Sequence, residues 1–247
     1  MIGLTADRRL VEFRTGSPSK PWQLGKVRGL EKDTKLVGMD FRVQNSKLYG
    51  VGDKGGSYPR NTRNAKAATF SQLTVVPAGK FFGVDFNPTA NRLRGISDTG
   101  QNLRHDIDDP AAPRTTTVKT PLTNPTMPPS TGMGVTGAAY TNNDLNAETA
   151  TSLCDIDTTN DRVSFQSPAD SGTLAPTGNL GVDAGQNAGF DLYFSHRGQS
   201  NYGFAALSVN GAYQLYQVDV LTGRAEGIGA FPREHHVTDV GLLLNQS

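Results

Sequence analysis

The chain of 247 residues balances 24 basic against 23 acidic side chains for a net charge of +1, and its Lys and Arg are dispersed, so it lacks the electrostatic footprint of a nucleic-acid binder. With 36% hydrophobic residues, 28 Gly and 14 Pro, it is long enough for a sizeable core and rich in turn formers, the profile of a turn-dense all-β protein. A single cysteine, Cys154, excludes an intrachain disulfide, and no apolar run approaches the roughly 18 residues that span a membrane.

In chain order, Ile2–Asp7 and Arg9–Phe13 read as strands, and Trp22 is expected to fill space between packed sheets. Leu36–Pro59 gives two alternating runs, Val37-Gly-Met-Asp-Phe41 and Leu48-Tyr-Gly-Val51, closed by the turn Asp53-Lys-Gly55. The basic stretch Arg60–Lys66 that follows reads as a solvated loop. The same grammar returns 45 residues later in Phe81–Asp106, where Phe82-Gly-Val-Asp-Phe86 and Arg92-Leu-Arg-Gly-Ile96 are punctuated by Asn87-Pro88 and Asp98-Thr-Gly100. Weaker copies begin at Thr136-Gly-Ala-Ala-Tyr140 and Ala188-Gly-Phe-Asp-Leu192. Val237–Leu244 supplies the first part of a fifth copy, whose continuation stands at residues 1 to 27.

A period of roughly 40 to 50 residues with about four strands per unit is the signature of a β-propeller. The expected fold is therefore all-β: one five-bladed β-propeller domain over residues 1–247, its closing blade shared between the N- and C-termini. A β-sandwich is the alternative, but it gives no reason for Gly-x-Asp-aromatic to recur at blade spacing.

Phe86-Asn-Pro-Thr89, Ser97-Asp-Thr-Gly100-Gln-Asn-Leu-Arg104, Val135-Thr-Gly-Ala-Ala-Tyr140-Thr-Asn142, Leu153-Cys-Asp-Ile-Asp157 and Gly172-Thr-Leu174 together resemble a bacterial family catalogued only as domain of unknown function 4394. The resemblance covers nearly the whole chain. It implies a propeller-like domain, and it brings no reaction and no catalytic residues to carry over. Members of that family look exported, whereas Met1 here stands a residue or two from the first strand. The chain as given reads as cytoplasmic, or as secreted if a signal peptide has been removed.

Propeller geometry places the blade-to-blade connections and the turns between second and third strands on one face, so 121–134, 181–187, 231–236, Asp53–Gly56 and Asp98–Asn102 should ring one mouth of the channel. Pro121–Gly134, irregular and carrying Met127 and Met133, is expected to act as a lid. Asp40, Asp85, Asp191 and Asp239 should occupy equivalent places on four innermost strands, with Ala139 on the fifth. Crowded carboxylates there could hydrogen-bond the next blade, hold a cation, or do acid–base work, and repetition favours the structural role.

No nucleophile elbow, phosphate loop, dinucleotide fingerprint or zinc motif is present, so no cofactor and no metal site is called for. Strands repeat and loops do not, which points to one asymmetric pocket taking a small organic ligand. Met127, Met133 and Tyr140 are the candidate substrate-binding residues; His235, His236, Asp85 and Asp191 are the candidate catalytic ones. The expected function is a cofactor-independent cyclase or isomerase of bacterial small-molecule biosynthesis, working by holding a flexible, partly apolar substrate in a reactive conformation. A non-catalytic propeller binding a glycan, a peptide or a protein is the alternative. Neither nucleic acid nor membrane is an expected partner.

Overall fold

The computed structural model describes residues 1–60, 65–67, 69–108, 116–146 and 148–244; part of the Arg60–Lys66 stretch, at 61–64, lies outside them. The chain forms β1 (Ile2–Thr5), β2 (Arg9–Glu12) and β3 (Trp22–Lys26). The second blade is β4 (Leu36–Arg42), β5 (Lys47–Gly52), β6 (Gly56–Arg60) and β7 (Ser71–Gln72). The third is β8 (Phe82–Asn87), β9 (Arg92–Ser97), β10 (Asn102–His105) and β11 (Thr116–Val118). A small hairpin, β12 (Thr123–Asn124) and β13 (Ser130–Thr131), precedes the fourth blade of β14 (Val135–Tyr140), β15 (Leu153–Asp157), β16 (Arg162–Gln166) and β17 (Leu174–Asn179). The fifth is β18 (Ala184–Ser195), β19 (Ser200–Val209), β20 (Ala212–Val218) and β21 (Ala225–Ala230), after which β22 (Val237–Gly241) pairs antiparallel with β1.

The fold is thus an all-β, five-bladed propeller whose closing blade runs β22-β1-β2-β3. Pairing Ile2 with Gly241 and Leu4 with Asp239 stitches the two ends together, so neither strand presents an open edge at the join. Inner strands β4, β8, β14, β18 and β22 neighbour one another in a closed circle around the axis. Alternation along each strand sends apolar side chains into the gaps between blades, where five separate clusters form, one per seam. Leu10 and Val163, with no exposure, are typical members. Each such side chain contributes about 1.5–3 kcal/mol through burial.

Close approach of inner strands explains the repeated glycine. A Cβ on Gly83 would lie 2.6 Å from the Ala138 nitrogen of the next blade, and one on Gly189 would lie 2.3 Å from the Asp239 Cα. Trp22 departs from expectation: it sits on the outermost strand of the closing blade and is 74% exposed. Its outward direction at a sheet edge leaves no neighbouring blade for it to fill. Among the described residues, no helix is long and apolar enough to cross a membrane.

Candidate functional site

Bulges set the register of the inner strands. The pairing skips one residue between Leu36 and Gly38 in the second blade and between Val135 and Gly137 in the fourth. In the closing blade the same skip falls between Val237 and Asp239. Asp239 therefore aligns with Gly38 and Gly137, and Gly241 takes the place held by Asp40 and Asp85. The expected single layer of four acids is two layers: Asp40, Asp85 and Asp191 lie together, and Asp239 stands one step nearer the start of the inner strands.

Hydrogen bonds follow the same register, with each acid accepting an amide proton from the blade ahead. Phe86 donates to Asp40 at 2.8 Å, Leu242 to Asp191 at 2.6 Å and Met39 to Asp239 at 2.7 Å, while the Tyr140 amide donates to Asp85. These bonds lace four of the five seams at the axis. Oxygens of Asp40, Asp85 and Asp191 approach one another within 4.8 Å, a spacing that could admit a cation. Both oxygens of Asp40 and both of Asp191 are already engaged by backbone amides.

Burial is the chief cause of the acidity changes in this ring. It lifts Asp191 to about 7 against the pull of its two amide donors. Asp40 rises well above the carboxylate range through burial and then the Asp191 charge, and Asp85 through burial and then its neighbours Asp40 and Asp191. Asp239 is raised by burial and, less, by Asp191. These carboxyls hold protons where exposed acids have lost them.

Above the triad the channel opens into a lopsided cavity of about 240 Å³. It lies where inner strands begin, the face on which the connecting loops were expected. Leu36, Val37, Phe81 and Phe82 form an apolar wall, with half-buried Asp239 and Tyr213 facing the same space. Arg8, in the β1–β2 turn, and Lys35 and Lys80, the residues just before the second and third inner strands, complete the rim.

The sequence candidates fall at several places. Asp85 and Asp191 meet at the axis, beneath the cavity. His236 is exposed and stacks on Tyr213 at 4.8 Å, one ring removed from the cavity. His235 is buried, its Nε2 3.5 Å from the Gln23 side-chain nitrogen on the outer strand. Tyr140 ends its inner strand on the far side, its hydroxyl accepting from the Arg94 Nε in the seam between third and fourth blades. The 121–134 segment does not line the cavity. It folds as the β12–β13 hairpin, held where the Thr123 amide donates to the Gly172 carbonyl and Arg162 donates to Asn124. Met127 at its tip is 97% exposed and Met133 is 50% exposed. Anchoring to the fourth blade, with Leu122 buried in the seam, directs this segment away from the axis.

Two polar assemblies escaped the sequence reading. Buried Arg94 donates to Tyr140, Asn102 and Asp170, and Asp155 lies fully buried beside it, its carboxyl raised by burial and drawn down by the Arg94 charge. His105 bridges Ser71 at 2.7 Å and Thr116 at 3.0 Å, locking the outer strands of the second and third blades. Neither assembly opens onto the mouth. Two of the mouth cations, Lys35 and Lys80, carried one usable signal, their position within two residues of the start of an inner strand.

Solved structures resemble the chain only distantly. An auxiliary nutrient binding protein from Bacteroides ovatus superposes with a TM-score of 0.48 at 11% identity, covering 82% of this chain and 55% of that one. The nidogen/laminin complex gives 0.47 at 10% identity with 97% and 82% covered, and a protein from Lactobacillus plantarum gives 0.43 at 17% identity with 95% and 67% covered. The chain thus spans about half the length of the first of these. No curated protein sequence matches it. Residues 9–241 match a family profile, and the chain belongs to the family described as Domain of unknown function (DUF4394).

Proposed function

We propose that this propeller binds one small, partly apolar organic molecule at its mouth and promotes its cyclisation or rearrangement without a cofactor. The observation that carries the reading is the lopsided cavity itself, in which an apolar wall of Leu36, Val37, Phe81 and Phe82 faces a single carboxyl group, Asp239. Its volume of about 240 Å³ is below the range of roughly 300–1,000 Å³ that suits drug-sized ligands, so the substrate is compact.

The wall confines the chain of a flexible substrate, which lowers the entropic barrier to an intramolecular step. Asp239, raised by burial above the usual carboxylate range, holds its proton where an exposed acid has lost it and can deliver it as a general acid. The carboxylate left behind is received by the Met39 and Val240 amides, at 2.7 and 2.9 Å, so proton release at this point is reversible and Asp239 can serve next as a base. Tyr213, stacked on His236, also lines the cavity.

The test is a native mass-spectrometry screen for a compound bound once per chain, followed by chromatography of that compound after incubation. Asp239→Asn should keep binding and lower turnover by about 10²–10⁴. Full turnover in that variant would remove Asp239 from the chemistry. A compound that binds and is returned unchanged would leave a binding site and remove the enzyme reading.

A further inference from the structure

We infer that the molecule received at the mouth carries an anionic group, a carboxylate or a comparable oxyanion, seated on Arg8, Lys35 and Lys80. The inference rests on the reading of the mouth as a small-molecule site and names what that site selects.

Three cations converge on one small opening although the chain as a whole is nearly neutral at +1. They come from three different elements: the β1–β2 turn and the connections into β4 and β8. Arg8 holds an uncommon left-handed backbone, with φ of 68°, and its Nη1 donates to the Thr34 carbonyl next to Lys35. That bond ties the closing blade to the second and leaves the remaining guanidinium donors available. None of the three cations forms an ion pair with an acid among the described residues.

The nearby acids bond to groups other than the three cationic heads. Asp53 accepts from the Thr34 and Lys35 amides, Asp98 accepts from the Lys80 amide, and Asp7 pairs with Arg9. Asp239, the acid inside the cavity, has its carboxyl raised by burial and accepts from the Met39 and Val240 amides rather than from a rim cation. The mouth thus presents three cations at its rim and an apolar wall beside Asp239 within. A ligand matching this layout has an anionic head at the rim and a compact hydrocarbon or aromatic body against Phe81 and Phe82. A neutral ligand of the same shape would gain nothing from the three exposed cations, and a cationic one would be repelled.

The test uses a shape-matched pair, 1-naphthoate and 1-naphthamide, titrated calorimetrically into the full chain, with Ala6→Trp and Thr238→Phe as two independent obstructions of the cavity. The naphthoate is expected to bind about tenfold more tightly than the amide, with the preference falling to near parity in Lys35→Ala/Lys80→Ala and in 1 M salt. Both probes should be lost on obstruction. Equal binding of the pair, lost on obstruction, would overturn the anion preference and leave the mouth as a site. Binding of neither probe, or binding that survives both obstructions, would overturn the mouth reading as well.

Discussion

Asp191→Asn isolates one proton of the axial ring. The folded chain lifts this carboxyl from 3.8 to about 7, so between those values the native state holds a proton that the unfolded chain has released. Because the unfolded state binds fewer protons there, stability must fall as pH rises. The contribution is complete below pH 3.8 and is lost as pH climbs through about 7, at up to about 1.4 kcal/mol per pH unit. Asparagine removes that dependence, and it also surrenders one acceptor. Leu192 and Leu242 each donate to Asp191 at 2.6 Å, and an amide group can receive only one of them, which costs about 1–3 kcal/mol. Near pH 5 the variant should be less stable by that amount. Towards about pH 8 the deficit should shrink by about 2–3 kcal/mol, because only the wild type then carries the buried charge. Asp7, Asp53, Asp170 and Asp219 are held below the usual range, and their contribution lies below this window. Urea titrations followed by far-ultraviolet circular dichroism at the two pH values measure the difference. A deficit that stays constant or widens with pH would refute the buried proton.

Other consequences concern the seams. Gly189→Ala forces a methyl group against the Asp239 Cα and should lower stability by about 1–3 kcal/mol in urea titrations, with the fifth-to-closing seam exchanging its amide protons first. Arg94→Met strips partners from Tyr140 and Asn102 in a buried setting and should cost about 3 kcal/mol; the half-exposed Asp170 adds little to that sum. A loss below about 0.5 kcal/mol would show that solvent reaches this seam. Cys154 is fully buried and its thiol is raised by burial, so a disulfide reagent should label it only as the protein unfolds in urea.

The strand grammar made the architecture legible, because a blade can bury its two faces only when alternation, turn residues and spacing recur together, as they do at Val37–Phe41 and Phe82–Phe86. It made the closing of the ring legible as well, since one copy was split between the ends. Side chains whose surroundings depend on another blade were less readable. Trp22 occupies an outer strand where pattern alone cannot say whether a neighbour covers it, and Met127 follows a hairpin anchored to a partner strand some fifty residues away in sequence. Arg94 looks in the sequence like one more polar residue of an alternating strand, Arg92-Leu-Arg, yet it is buried by the blade ahead. Of the segments expected to ring the mouth, only 181–187 reaches the cavity, through Asn187, and the rim cations emerged only when Arg8, Lys35 and Lys80 were brought together from three segments.

Asp239 shows what repetition conceals. Its motif resembles those of Asp40, Asp85 and Asp191, but the pairing aligns it with Gly38 and Gly137, two residues before the place of Asp40, a shift of roughly 7 Å. In one layer, each added carboxylate would face neighbours at a few ångströms, where an ionised pair repels by about 4 kcal/mol at an effective dielectric constant near 20. Leaving Ala139 and Gly241 in that layer and lifting Asp239 out of it relieves the crowding while the Met39 amide bond to the next blade is kept. The displaced acid emerges in the cavity beside Leu36 and Phe82. A structural ring interrupted in two blades therefore yields, through the same displacement, the asymmetric acid on which the proposed chemistry at the mouth depends.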